Sequence, residues 1–169
     1  VNFNKIILVI GACGVGKTWI MKQLLKRDKS KTFKLGKFYF HETENYIVVG
    51  KYDNSTFEGS DKLSMSVITD LNKMISYIEK KNKIAVFEGD RFTNSRFIKE
   101  ANPIILKING DGSEGRKLRK SKQSDRHLKS IFTRVSNIQS HKDCKNSNEC
   151  LMLIQEIIDE NNRIKRSRT

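Results

Sequence analysis

The chain has 169 residues and carries 33 Lys and Arg against 19 Asp and Glu, a net charge of +14. That length suits a single domain around one core, and no apolar run approaches the ~18 residues of a membrane span. Three cysteines, Cys13, Cys144 and Cys150, form no disulfide framework, so a reducing cytoplasm is the expected compartment. The cation surplus exceeds what a nucleotide needs. It points to a polyanionic partner, most simply nucleic acid, against the plainer reading of a lysine bias that aids solubility.

Residues 1–10 read as a strand entering a loop, not as a secretory leader, and a chain beginning at Val1 is expected to have lost an initiator Met. The apolar run over 6–10 predicts a strand over 5–10 covered on both faces. Then comes Gly11-Ala12-Cys13-Gly14-Val15-Gly16-Lys17-Thr18, a G-x-x-x-x-G-K-T string. Ile20, Met21, Leu24 and Leu25 follow at helical spacing, predicting a helix over 18–27. Strand, glycine-rich loop and helix in that order are what a phosphate-binding loop requires. The glycines let successive N–H groups turn inward toward phosphate oxygens, and the helix N-terminus adds partial positive charge there. Gly11 to Thr18 are thus the expected nucleotide-binding residues. Lys17 would reach the β- and γ-phosphates of ATP, and Thr18 would set its hydroxyl on Mg²⁺. Cys13 fills a variable position as a small residue, and Trp19 is expected in the core.

Weak alternation over 34–40 and the β-rich run 46–49, with a turn at 42–45, predict a hairpin. Residues 52–66 read as loop. Ser64 is expected to cap a helix running to about residue 80, with Val67, Ile68, Leu71, Met74, Ile75 and Ile78 inward. Further strands are predicted at 84–87 and 104–108, and a short helix at 94–101 is broken by Pro103. Residues 116–126 are strongly basic and suit a lid spanning about 112–126. Its arginines Arg116, Arg119 and Arg126 would spread charge over the phosphates and its closure would exclude water. A solvated basic helix, or a track for a DNA backbone using Lys117, Lys120 and Lys122, are the other readings of the same residues. Helical spacing resumes through Leu128, Ile131, Phe132 and Val135. Residues 139–149 read as polar loop, 150–158 as a last helix, and 163–169 as a frayed basic tail. His141, Cys144 and Cys150 are irregularly spaced and lack a fourth partner, so no zinc site is expected.

Strands alternating with helices predict an α/β domain with a mostly parallel sheet between two helical layers, its ligand at the carboxyl ends of the strands. The carboxylates near those ends are Asp61, Glu88 and Asp90. Glu88 or Asp90 is expected to help hold Mg²⁺, and spacing does not decide which; a turn acid and a helix cap are the plainer roles. Asp61 is a candidate to accept a hydroxyl proton, or a solvated loop acid.

Three strings together carry a resemblance. They are Tyr52…Phe57-x-Gly59-x-Asp61-x-Leu63-Ser64, then Phe87-Glu88-Gly89-Asp90-Arg91, then Leu128-Lys129…Thr133-Arg134…Asn137-Ile138. In this order and spacing the chain resembles the phage 5-hydroxymethyluracil DNA kinases, from the glycine loop to Ile138. Lys62 and Ser130 depart from the family pattern, where Arg and Gly are usual. The resemblance implies a three-layer P-loop kinase fold like that of nucleoside monophosphate kinases, with a basic helical lid. It implies transfer from ATP, with Mg²⁺, to the hydroxymethyl group of a modified base already in DNA, in host cytoplasm. Asp61 is then the acceptor-side base, and Tyr52, Phe57, Asp61 and Arg91 form the acceptor-binding set. Tyr52 or Phe57 would stack on a flipped base, core packing being the plainer role for both. A small-molecule nucleoside or nucleotide kinase shares the loop and the Mg²⁺ chemistry, and a nucleotide-binding switch or DNA-binding ATPase shares the loop alone.

Overall fold

The computed structural model describes residues 4–53, 63–64, 66–118 and 123–169. Among these, the strands form one seven-stranded sheet in the order β2-β3-β4-β5-β1-β6-β7. Strands β1 (Ile6–Gly11), β4 (Tyr46–Val49), β5 (Ile84–Glu88), β6 (Ile104–Ile108) and β7 (Lys142–Cys144) run parallel. Strands β2 (Lys31–Leu35) and β3 (Phe38–Glu42) add an antiparallel ribbon at one edge. The expected α/β class, with a mostly parallel sheet and helices on both sides, is therefore present. No described helix is long and apolar enough to cross a membrane.

The five residues Ile6 to Ile10 are buried on both faces, which is why this strand shows no polar alternation. One face packs Ile7, Val9, Val86 and Leu106 against α1 (Lys17–Arg27) and α6 (Ser147–Ser167), through Ile20, Met21, Leu24, Ile154 and Ile158. The other packs Leu8, Ile10, Ala85 and Phe87 against α2 (Leu71–Lys81), α3 (Ser95–Ala101) and α5 (Asp125–Asn137). Each Ile or Leu buried this way stabilises the fold by roughly 1.5–3 kcal/mol. The chain leaves β1 toward β4 and leaves β6 toward β7, in opposite directions. This switch point opens a crevice at the carboxyl ends of two neighbouring strands.

Several expected elements differ. The strand read over 34–40 is two strands, because Lys37 turns the chain by donating its N–H to Asp70 Oδ2 at 2.8 Å. The helix expected from Ser64 opens instead as a 3-10 turn, Val67–Asp70, before α2; Ser64 Oγ accepts from Ser66 N, not from a helix turn. The loop read over 139–149 contains β7, whose residue Cys144 is buried. The tail read as frayed is helical to Ser167, its stripe continuing through Ile158 to Asn161, with Glu160 pairing Arg163 and cations in the last turn. Trp19 is 39% exposed, outside the core where it was expected.

Candidate active site

The glycine loop connects β1 to α1. Gly14 has φ 93° and Gly16 φ 103°, a region that side chains with a Cβ rarely adopt, and the chain can coil tightly only because both are glycine. Gly16 is the N-cap of α1 and offers no side chain to its first-turn N–H groups, which leaves that end suited to an external oxyanion. Lys17 folds back over the loop, donating from Nζ to Gly11 O at 2.9 Å and Ala12 O at 3.0 Å. Ala12 is buried, and Cys13, Val15, Lys17 and Thr18 are half-buried. Thr18 lies in the first turn of α1.

The neighbouring strand ends supply the rest. Glu88 closes β5, in register with Val9 of β1, and Gly89 N donates to Val9 O at 3.2 Å. Glu88 shares its face with Ile84 and Val86, the face that α1 covers, and it is buried. Tyr52 donates its hydroxyl to Glu88 Oε1 at 3.1 Å. The Tyr52 ring is itself buried, in the α1-side core beside His41, so it has no open face for stacking on a base; holding Glu88 is the role the geometry gives it. His41 donates or accepts toward Thr32 through Nδ1 and accepts Tyr52 N–H at Nε2, and burial keeps its imidazole below the usual histidine range.

Asp90 begins a 3-10 turn, Asp90–Phe92, after β5. It pairs with Arg134 of α5 and accepts from Thr93 Oγ1 at 3.2 Å. Of the two expected metal carboxylates, Glu88 is thus buried at the strand end and Asp90 is engaged by a cation. Arg91 is half-buried in the same turn. Among the described residues no three His, Cys, Asp or Glu side chains cluster as a cation cage. Mg²⁺ needs none where phosphates and water supply most of its ligands, and Thr18 with Glu88 is a fitting donor set for that arrangement.

From the β6 side, α4 (Ser113–Leu118) lies directly on the glycine loop. Arg116 donates from Nη1 to Cys13 O at 2.7 Å and to Asp111 O at 2.5 Å. A Cβ at Gly115 would stand 1.9 Å from Gly14 O, so the approach of helix to loop requires glycine. Ser147, opening α6, packs on Gly16. The segment expected as one basic lid is divided: α4 sits on the loop, while Arg126 belongs to α5, which packs on the sheet through Ile131 and Val135. Arg126, Lys129, Ser130, Thr133, Arg134 and Asn137 line an open groove of about 430 Å³ along α5. Phe57, Asp61, Arg119, Lys120 and Lys122 lie outside the described residues.

Sequence reasoning missed the Asp90–Arg134 pair and the packing of α4 on the loop. Three glycines, Gly110, Gly112 and Gly115, in six residues were the available signal for that contact. His141, though exposed, accepts Ile105 N–H at Nδ1 at 2.9 Å, and the Cys144 and Cys150 thiols are buried side by side, their acidity weakened by that burial. No protein-family model matches the chain, and no curated protein matches it.

Proposed function

We propose that this chain is a P-loop kinase that transfers the γ-phosphoryl group of ATP to the hydroxymethyl group of 5-hydroxymethyluracil in DNA. The observation that carries the reading is convergence. The Gly11–Thr18 loop, Glu88 and Asp90, and Arg116 meet at the carboxyl ends of β1, β5 and β6. Phosphoryl transfer is mostly positioning and charge stabilisation, which such a set supplies.

In this reading the loop N–H groups and the α1 N-terminus hold the phosphates, and Lys17 leaves the carbonyls of Gly11 and Ala12 for the β,γ-oxygens. Mg²⁺, held by Thr18 and by Glu88 directly or through water, would neutralise charge between those phosphates. Tyr52 fixes the Glu88 carboxylate. Arg116, already on the loop, would meet charge on the transferring group, Arg119 would add to it, and Arg126 of α5 would face the acceptor DNA. The hydroxymethyl oxygen attacks phosphorus, the bond to the ADP oxygen breaks, and the hydroxyl proton passes to Asp61. Asp90 with Arg134, and Arg91 beside them, border the acceptor side. The net charge of +14 and the cation-lined face of α5 support a DNA acceptor over a free nucleoside.

The test offers γ-labelled ATP with DNA containing hydroxymethyluracil, with thymine-only DNA and with free nucleosides. Label confined to the hydroxymethyluracil DNA is the expected result. Label on free nucleosides alone identifies a small-molecule kinase instead, and hydrolysis without transfer to any acceptor identifies an ATPase.

A further inference from the structure

The β2–β3 ribbon touches the site just described only through His41, which holds the Tyr52 backbone. Residues 29–41 contain Lys29, Lys31, Lys34 and Lys37 and no carboxylate, and Lys51 follows β4 beside them. Among the described residues none of these five lysines forms an ion pair with an acid. Strand β2 is an exposed edge, and Phe33, stacked on Phe40, is 41% exposed. The ammonium groups of Lys34 and Lys51 both lie 5.3 Å from the centroid of the Tyr39 ring. One ring therefore gathers two like charges, a concentration of positive potential that favours an anion nearby.

Position gives this cluster a direction. Strand β3 runs antiparallel to β4, so the Gly36–Lys37 turn, Lys34 and Lys51 stand at the carboxyl-end rim, the rim of the glycine loop. The turn is fastened there: Lys37 donates to Asp70 from its N–H and to Ser66 Oγ from Nζ at 2.7 Å. Ser66 and Asp70 belong to the segment that follows the Gly59-x-Asp61 string in the chain. The ribbon is thus on the acceptor side, away from α4. Strands stand about 4.8 Å apart, which puts β2 roughly 19 Å from β1. On duplex DNA, rising about 3.4 Å per nucleotide, that is roughly five or six nucleotides.

Resting on the DNA-kinase reading, we infer that the β2–β3 ribbon is an arm that grips the phosphate backbone of the acceptor DNA, five or six nucleotides from the base being modified. Lysine on an edge strand also guards against edge-to-edge pairing. Guarding does not call for Lys51, outside the edge strand, to be gathered with Lys34 over one ring.

The experiment compares wild type with the double variant Lys34→Gln, Lys51→Gln. The acceptors are hydroxymethyluracil duplexes with flanks of about three or about twelve pairs on each side. The arm predicts a lower KM on long flanks for wild type only, and equal kcat and KM for both proteins on short flanks. It predicts a log–log salt slope on the long duplex shallower by about 1.8 in the variant, at about 0.9 per lost contact. An unchanged slope and an unchanged length effect overturn the arm while leaving the DNA kinase standing. Aggregation of the variant with an unchanged slope overturns it in favour of edge protection alone. A wild type that phosphorylates only free nucleosides overturns both readings.

Discussion

The two ends of the sheet hold their charged groups by opposite means. At the amino ends of the strands Glu42 is closed in: Lys83 donates to Oε1 at 2.8 Å and to Thr43 O at 2.8 Å, and the Tyr77 hydroxyl donates to Oε2 at 2.5 Å. At the carboxyl ends, Lys17 and Arg116 rest on the backbone carbonyls of a glycine loop, and α4 meets that loop through glycine. The first arrangement has geometry only for itself. The second leaves both cations on neutral carbonyl oxygens with no carboxylate partner in those bonds, so an anionic oxygen brought to the loop would offer them a stronger, oppositely charged acceptor. Under the proposed reading, the rigid ion pair lies away from the nucleotide and the replaceable contacts lie at it.

The sharpest break of this contrast is Lys83→Met, which strands a buried carboxylate. Loss of about 3–5 kcal/mol in urea unfolding is expected, with turnover per folded molecule unchanged. The pH dependence has a definite sign. Burial alone would raise the Glu42 carboxyl, but the Lys83 and Tyr77 hydrogen bonds outweigh it and hold it below the usual range. Its stabilisation is therefore complete above the ordinary glutamate value and is lost as pH falls through the lowered one; the Lys83→Met protein should lack that acid limb. The Tyr77 hydroxyl, pushed up to about 12 by burial and by Glu42, stays protonated and donating across the same range.

Lys17→Ala acts at the other end. The α1 face that packs is Ile20, Met21 and Leu24, so circular dichroism and the urea midpoint should hold while single-turnover transfer falls roughly 10²–10³-fold. Unimpaired transfer removes Lys17 from the site. Asp61→Asn keeps shape but cannot take the proton; a fall near 10²-fold in transfer from bound ATP is expected, since a loose transition state leans little on a base. A collapse of ATP affinity with normal transfer moves Asp61 to the nucleotide side. The mildest change is Gly115→Ala, whose methyl meets Gly14 O. Overpacking of about 1–3 kcal/mol should push α4 off the loop and raise the KM for ATP roughly tenfold, with the remaining fold intact by circular dichroism.

Much of this was legible because the signals were local. The Ile6–Ile10 run, the glycine string, the strand read over 84–87 with the acid after it, and the short helix read over 94–101 each lie within a few residues. The unread parts depend on distant partners. Strand β7 has three residues and one buried side chain, too little for periodicity, and exists because β6 offers it a parallel edge. The turn that divides β2 from β3 depends on Asp70, 33 residues away. Asp90 finds Arg134 across 44 residues. Tyr52 read as a stacking candidate because an aromatic in a loop gives no sign of its burial; its bond to Glu88 spans 36 residues.

The central claim is that the carboxyl-end loops assemble to phosphorylate a hydroxymethyl group on a base within DNA. Digesting reacted duplex to nucleosides and locating the label by mass spectrometry tests it most directly. The account predicts one phosphate on the hydroxymethyl oxygen of the modified nucleoside, absent with Lys17→Ala and absent from thymine-only DNA. Label recovered on strand ends, or on no nucleoside while ATP is consumed, would contradict it.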